Sequence, residues 1–222
     1  MQITFDEKEP MGIVTFNPAD PEGLEGMARC LEDLGDPILL HWEDVFDPGG
    51  DSRIPALLEG LLRHPQPVYG LLPEAASGPN AMLLLACDTL YWAKGARWRL
   101  ALHGFGEVTL LTYRLGETRA RRAWFGGGLL TFGPARDSGW AQRAPDDPKN
   151  LVRTLESELD KGSSRARGLL RPLLYHQAGL ARLPAEALER YTFASAFQAG
   201  DLSEGIAAFL ERRKPDFEKG KG

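Results

Sequence analysis

His103 and Glu107 put two proton-transfer groups four residues apart, in LHGFGEV. Gly104 and Gly106 permit a tight backbone between them. A histidine and a carboxylate held together in such a turn can serve as a general acid/base pair. The same residue types also suit a hydrogen-bonded loop histidine and a first-turn glutamate at a helix start. Upstream, PVYGLLPEAASGPNAMLLLACDTLY (67–91) reads as a buried strand, a small-residue turn, a helix entered at Gly78-Pro79-Asn80, and a second strand after Cys87-Asp88. The free N–H groups of a helix start are natural partners for a developing negative charge. Proline at the first helical position leaves the N–H groups of Asn80 and Ala81 available for that purpose.

Other residues of the right chemical type are less concentrated. Asp47 and Asp51 flank Gly49-Gly50 in a turn-rich loop, where Asp51 suits a turn or cap and Asp47 could face a ligand. Glu74 precedes the small-residue turn and could face either a site or solvent. His41, His64 and His176 are too scattered to suggest a metal, and His64, before Pro65, is expected at the surface. Cys87 is expected in the core. Gly126-Gly127-Gly128 lacks the strand–turn–helix setting of a phosphate loop and reads as a plain turn. Basic groups gather at 116–125, 164–171 and 211–214, which suit solvated helix faces or a hold on phosphates.

The elements that must position these residues alternate along the chain. Met11 to Phe16 reads as a strand paired in a hairpin with Met1 to Phe5, and Asn17-Pro18 stops it. Glu22 to Leu34 has apolar residues at helical spacing. Ile38 to Trp42 reads as a buried strand and Ile54 to Leu62 as a short helix. After the 67–91 stretch, strand–helix alternation continues through 90–94, a loop, the apolar run Leu110 to Leu115, and a helix over 117–125. A further helix is expected near Ala135–Trp140. Residues 144–150 form a polar linker, and from Leu151 the pattern is almost wholly helical. This order predicts an α/β core followed by a helical appendage.

Composition sets outer limits. Of the 222 residues, 43% are hydrophobic and 26% charged, ordinary values for a globular protein. No charge-free apolar run reaches the ~18–20 residues of a membrane helix. The acidic start MQITFDEKEP lacks the basic leader and apolar core of a secretory signal, so a cytoplasmic protein with free thiols is expected. Residues 1–51 hold thirteen acids against Lys8 and Arg29, a net of −11, while the whole chain carries −5. That balance argues against nucleic acid as the main partner.

Five landmarks in order resemble the crotonase (enoyl-CoA hydratase/isomerase) superfamily. GIVTFNPAD is similar to the family's first strand, and Phe46-Asp47-Pro48-Gly49-Gly50-Asp51 to its Phe-Ser-Ala-Gly-Ala-Asp loop. His64-Pro65-Gln66-Pro67-Val68 resembles its Pro-Lys-Pro-Val entry to the central strand. Ala75-Ala76-Ser77-Gly78 followed by Leu84-Leu85-Ala86-Cys87-Asp88 resembles its turn, helix and Ala-Cys-Asp. EGIAAFLERRKPDF (204–217) is similar to its closing segment.

The resemblance implies an α/β fold, a crotonase-like spiral of ββα units with a C-terminal helical trimerisation region. It divides the chain into a spiral core with a thioester site (1–160) and a helical oligomerisation region (161–222). It implies a homotrimer or hexamer and an acyl thioester, of coenzyme A or an acyl carrier protein, as substrate rather than a separate cofactor. A synthase or carrier-protein partner would fit. Two backbone N–H groups bind the thioester oxygen in the family. One maps to Gly50; the other maps to Pro79, which has no N–H, so Asn80 is the expected replacement. The hydratase carboxylates map to Met82 and to Leu102, or to Leu100 in a shifted register, none of which carries a transferable proton. The expected enzyme is therefore a lyase or isomerase. It would carry out enolate-type isomerisation, decarboxylation or a polyketide-type tailoring step at His103 and Glu107. The alternative is a non-catalytic binding or scaffold subunit. Phe209 and Arg212 match positions that reach coenzyme A in a neighbouring subunit.

Overall fold

The structure is a computed structural model and describes residues 12–16, 31, 37–42, 52–72, 74–101, 103–104, 106–177 and 200–216. The chain divides into two compact units, Met1–Glu156 and Ser157–Gly222.

In the first unit, strands β1 (Gly12–Phe16), β2 (Ile38–Trp42), β3 (Val68–Leu72), β5 (Thr89–Trp92) and β8 (Ala141–Arg143) form one sheet in the order β1-β2-β3-β5-β8. Every pairing in it is parallel. Parallel sheets are covered on both faces, which is why their strands read as near-continuous apolar runs. A smaller sheet pairs β4 (Ala75–Ala76) parallel to β6 (Arg97–Arg99), and β6 antiparallel to β7 (Leu129–Leu130).

The 3₁₀ helix Asn80–Ala86 follows β3 and β4, and α2 (Glu107–Leu115) follows β5 and β6. The same strand–strand–helix order thus occurs twice, with the first strand of each unit in the large sheet and the second in the small one. Helix α1 (Ile54–Arg63) connects β2 to β3. Its Ile54, Leu57, Leu58 and Leu61 form a buried stripe at helical spacing. Helices α3 (Glu117–Phe125) and α4 (Phe132–Asp137) flank β7.

The 3₁₀ helix lies at the centre of this core. Ala81 through Ala86 are fully buried, and both α1 and α2 pack on it. A helix that is apolar all round must be covered on every side. Its exit is fixed by three hydrogen bonds that involve Asp88 and Trp140. Asp88 accepts a hydrogen bond from Val68 N–H at 2.8 Å, and its own N–H donates to Val68 O at 2.7 Å. Trp140 Nε1 donates to Cys87 O at 3.0 Å. Cys87 is buried, as expected of a core residue.

Two sequence expectations are corrected, at Leu110–Leu115 and at His64. Leu110–Leu115 continues the alternation as part of a helix, not a strand. Its buried Glu107, Leu111 and Leu115 recur every four residues. His64 is 1% exposed, not at the surface. It ends α1 in an extended conformation (φ −56°, ψ 129°), as a residue before proline prefers, and its Nδ1 lies 3.0 Å from Gln66 O. The short strands β6, β7 and β8 were not legible. The hairpin with Met1–Phe5 lies outside the described residues; the described partner of β1 is β2.

Helix α5 (Pro148–Leu159) contains the division between units. The second unit holds α6 (Ser164–Gln177) and α7 (Gly200–Glu211). Ser163 Oγ accepts from Ala166 N–H at 3.2 Å, a side-chain cap at the start of α6. Arg167 Nη1 donates to Leu159 O and Gly162 O, each at 2.8 Å, at the end of α5. Among the described residues, no helix is long and apolar enough to cross a membrane.

Candidate active site

Glu107 is the first residue of α2 and is 2% exposed. Its Oε1 accepts a hydrogen bond from His103 N–H at 2.7 Å and lies 3.3 Å from His103 Nδ1. Two left-handed glycines make this closure feasible, Gly104 at φ 88° and Gly106 at φ 89°. A side chain at either position would be strained. The carboxylate sits at the helix N-terminus, where the peptide dipoles favour negative charge.

The structure therefore brings His103 and Glu107 into one cluster. The carboxylate holds the turn through the His103 backbone N–H, and the imidazole lies beside it with Nδ1 at 3.3 Å but no hydrogen bond between ring and carboxylate. The imidazole is partly open, with 19% of the side chain exposed, while the carboxylate is sealed. The imidazole is thus the outward group of the pair and the carboxylate the inward one.

The turn before the 3₁₀ helix has Gly78 in the left-handed region (φ 77°) and Pro79 in the helix-start position (φ −62°, ψ −38°). Met82 N–H donates to Pro79 O at 3.0 Å, closing the first 3₁₀ turn. The backbone N–H groups of Asn80 and Ala81 precede that first intrahelical bond and suit a partner from outside the helix. Met82, at the mapped position of the first carboxylate, is fully buried. Gly50, Asp47, Asp51 and Leu102 lie outside the described residues, as do the side chains of His41, Asn80 and His176.

The remaining described candidates are exposed. Glu74 is exposed, the solvent-facing of its two readings. Phe209 is 83% exposed on α7. Arg212 is exposed just beyond that helix, with φ 54°. Among the described residues, no group of three His, Cys, Asp or Glu side chains could hold a metal ion.

One residue that sequence reasoning passed over joins the two halves of the site region. Arg114, near the end of α2, donates from Nε to Leu85 O and from Nη2 to Ala86 O, each at 3.0 Å. Its guanidinium also lies 6.0 Å from the Trp140 ring centroid. The signal was an arginine on a helix otherwise read as an apolar strand.

Residues 51–220 match the family model described as enoyl-CoA hydratase/isomerase. The chain belongs to this family. It is 27% identical over 226 residues to a probable enoyl-CoA hydratase of Bacillus subtilis, covering 87% of this chain and 88% of that protein. It is 31% identical over 205 residues to a probable enoyl-CoA hydratase of Rhodobacter capsulatus, covering 86% and 77%. Among solved structures, an enoyl-CoA hydratase from Polaromonas sp. JS666 superposes with a TM-score of 0.78 at 20% identity, over 94% of this chain and 96% of that one. Pseudomonas aeruginosa DspI gives 0.78 at 20% identity, over 94% and 93%. This family member has the α/β crotonase fold, with its His103–Glu107 cluster on the loop that enters α2.

Proposed function

We propose that this protein binds an acyl thioester and transfers a proton at the carbon beside its carbonyl. His103 and Glu107 act as the acid/base pair. Family membership and relatives named enoyl-CoA hydratase support the substrate class. The reading rests on one observation: a sealed carboxylate, 2% exposed, held against His103.

In this reading His103 Nε2 takes the proton, and the carbon–hydrogen electron pair moves into the thioester carbonyl. The resulting enolate oxygen is met by the backbone N–H groups of Asn80 and Gly50. Return of the proton to a different carbon completes an isomerisation; departure of carbon dioxide from a carboxylate on that carbon, with the carbon–carbon electron pair moving into the thioester carbonyl, makes the same enolate by decarboxylation. Met82 has no proton to give, which disfavours water addition by paired carboxylates. The exposed Ile206, Phe209 and Leu210 on α7 support an oligomer, a trimer or hexamer in the cytoplasm, in which Phe209 and Arg212 meet a neighbour's ligand.

Solvent-deuterium exchange into a saturated acyl-CoA, with hydration of crotonyl-CoA followed in parallel, tests this. Glu107→Gln and His103→Ala are expected to slow exchange by about 10²–10⁴-fold, the usual weight of general acid/base catalysis, with unfolding unchanged. Hydration that survives both substitutions would overturn the assignment in favour of a hydratase with other groups. Thioester binding without exchange or hydration would favour the non-catalytic subunit, for which a methionine at the mapped carboxylate position 82 and a proline at the mapped N–H position 79 are the specific support.

A further inference from the structure

Strand β6 presents Arg97 and Arg99 to solvent on one face, either side of the fully buried Trp98. Residues two apart on a strand share a face and stand about 7 Å apart. Arg97 pairs across to Ala75 of β4, and Arg99 to Leu129 of β7, itself an exposed leucine. Lys94 is exposed on the turn leading into β6. Phe125, 86% exposed, ends the helix that turns into β7.

None of these three cations has an acidic partner among the described residues. Elsewhere such pairs do form: Arg63 with Glu59, Arg121 with Glu117, Arg136 with Asp137 and Arg213 with Glu204. Thr89 to Gly106 contains no Asp or Glu, in a chain whose net charge is −5. The exposed Glu74 adjoins β4, yet only its backbone carbonyl meets Arg97, at 2.8 Å from the backbone N–H. An unpaired basic strand on an acidic protein is a local field of opposite sign to the whole.

The strands of this sheet lead toward the proposed site. Strands β4 and β6 run parallel, so their C-terminal ends point the same way. The first leads into the Ser77–Gly78 turn, the second toward His103. Resting on the acyl-thioester reading above, we infer that the β6 face docks an acidic acyl carrier protein, which presents the acyl group on a tethered thioester arm. Carboxylates on the partner meet Lys94, Arg97 and Arg99, and an apolar residue beside them meets Leu129 or Phe125. The phosphates of free coenzyme A would use the cations but leave the two apolar side chains without a role. Exposed ion pairs add little affinity individually; as a set they steer encounter and fix orientation. Tethering then raises the thioester's effective concentration at the site.

The test presents one butyryl group on two carriers, coenzyme A and an acidic acyl carrier protein, to wild type and to R97E/R99E, and follows solvent-deuterium exchange at the carbon beside the carbonyl. The variant is expected to lose about 10-fold or more in kcat/KM for exchange with the protein carrier, an electrostatic steering effect, while its rate with butyryl-CoA is unchanged. Titration of the carrier's apo form, which lacks the arm, gives a readout independent of turnover. Wild type is expected to bind it at low salt and to lose it as the Debye length shrinks; the variant is expected not to bind. Equal losses on both carriers would overturn the inference and make the patch a phosphate contact. No loss on either, in a variant that melts like wild type, would also overturn it. If wild type binds the apo carrier but processes neither thioester, the acyl-thioester chemistry fails while the docking face stands.

Discussion

Arg114 Nε donates to the Leu85 carbonyl at 3.0 Å, across a separation of 29 residues. With the second bond to Ala86 O, this arginine holds the last turn of the 3₁₀ helix against α2. The helix that begins at Glu107 and the helix that begins at Asn80 are thereby fixed to each other. A guanidinium satisfies both carbonyls with one planar fork; an ammonium cannot.

Arg114→Lys and Arg114→Ala should therefore destabilise the first unit. Hydrogen bonds from charged donors are worth about 1.5–3 kcal/mol, and urea midpoints would report the loss. Lysine should recover only part of it. A loss below about 0.5 kcal/mol in the alanine variant would mean that water satisfies both carbonyls, because surface changes stay within that range.

Gly106 supplies the left-handed residue immediately before α2, at φ 89°. Nothing lies within 4 Å of a Cβ built there, so a substitution is opposed by backbone conformation alone. Gly106→Ala should cost about 1–2 kcal/mol and shift the Glu107 carboxylate from His103. Gly133 also has open space around its Cβ and no left-handed φ, so Gly133→Ala should cost little. A thermal melt comparing the two isolates conformation from packing. Equal melting temperatures would remove the strain argument for the 104–106 loop.

The fold was legible in sequence wherever burial and turn chemistry agreed. Val68–Leu72, Asn80–Ala86 and Thr89–Trp92 are apolar runs punctuated by Gly78-Pro79 and Asp88, and they lie where those signals put them. The run Leu110–Leu115 misled because six apolar-rich residues fit a strand as well as part of a helix. The decisive residue was Glu107, a buried acid that an apolar pattern does not register. Strands β6 and β8 are three residues each, with charged side chains facing outward, so alternation had too few positions to show itself. Likewise, His103 and Glu107 could be paired by spacing, but Arg114 reaches carbonyls 28 and 29 residues away, beyond any local pattern.

Gly70 in β3 packs tightly against the end of the 3₁₀ helix and the strand that follows it. A Cβ at this position would lie 2.7 Å from Cys87 Sγ, 2.9 Å from Leu90 Cδ1 and 3.3 Å from Leu84 Cδ2. Gly70→Ala should overpack the core by about 1–3 kcal/mol. Cys87→Ala removes the nearest atom, so the double variant should be more stable than the sum of the two single losses. A double-mutant cycle in urea measures that coupling, expected at about 0.5 kcal/mol or more for residues in contact. Strict additivity would show that Leu90, not Cys87, sets the limit.

Arg212 ends α7 in a conformation that glycine usually supplies. Its φ is 54°, its N–H donates to Phe209 O at 3.3 Å, and Arg213 N–H donates to Ala208 O at 3.0 Å. This paired closure defines a Schellman motif with arginine at the left-handed position. The next residue explains how the end holds: Arg213 meets Glu204 through Nη1 and Nη2 and Glu211 through Nε. Those hydrogen bonds, Glu204's first, keep its guanidinium pKa above the ordinary arginine range. Arg212→Gly removes the left-handed penalty, about 1–2 kcal/mol before the larger unfolded-state entropy of glycine is subtracted. It should therefore raise the melting temperature slightly while deleting one exposed charge. If Arg212 also meets a neighbouring subunit's thioester ligand, the same variant should raise KM for acyl-CoA without lowering kcat, the signature of uniform binding lost. A stabilised variant with unchanged KM would assign Arg212 to the helix end alone.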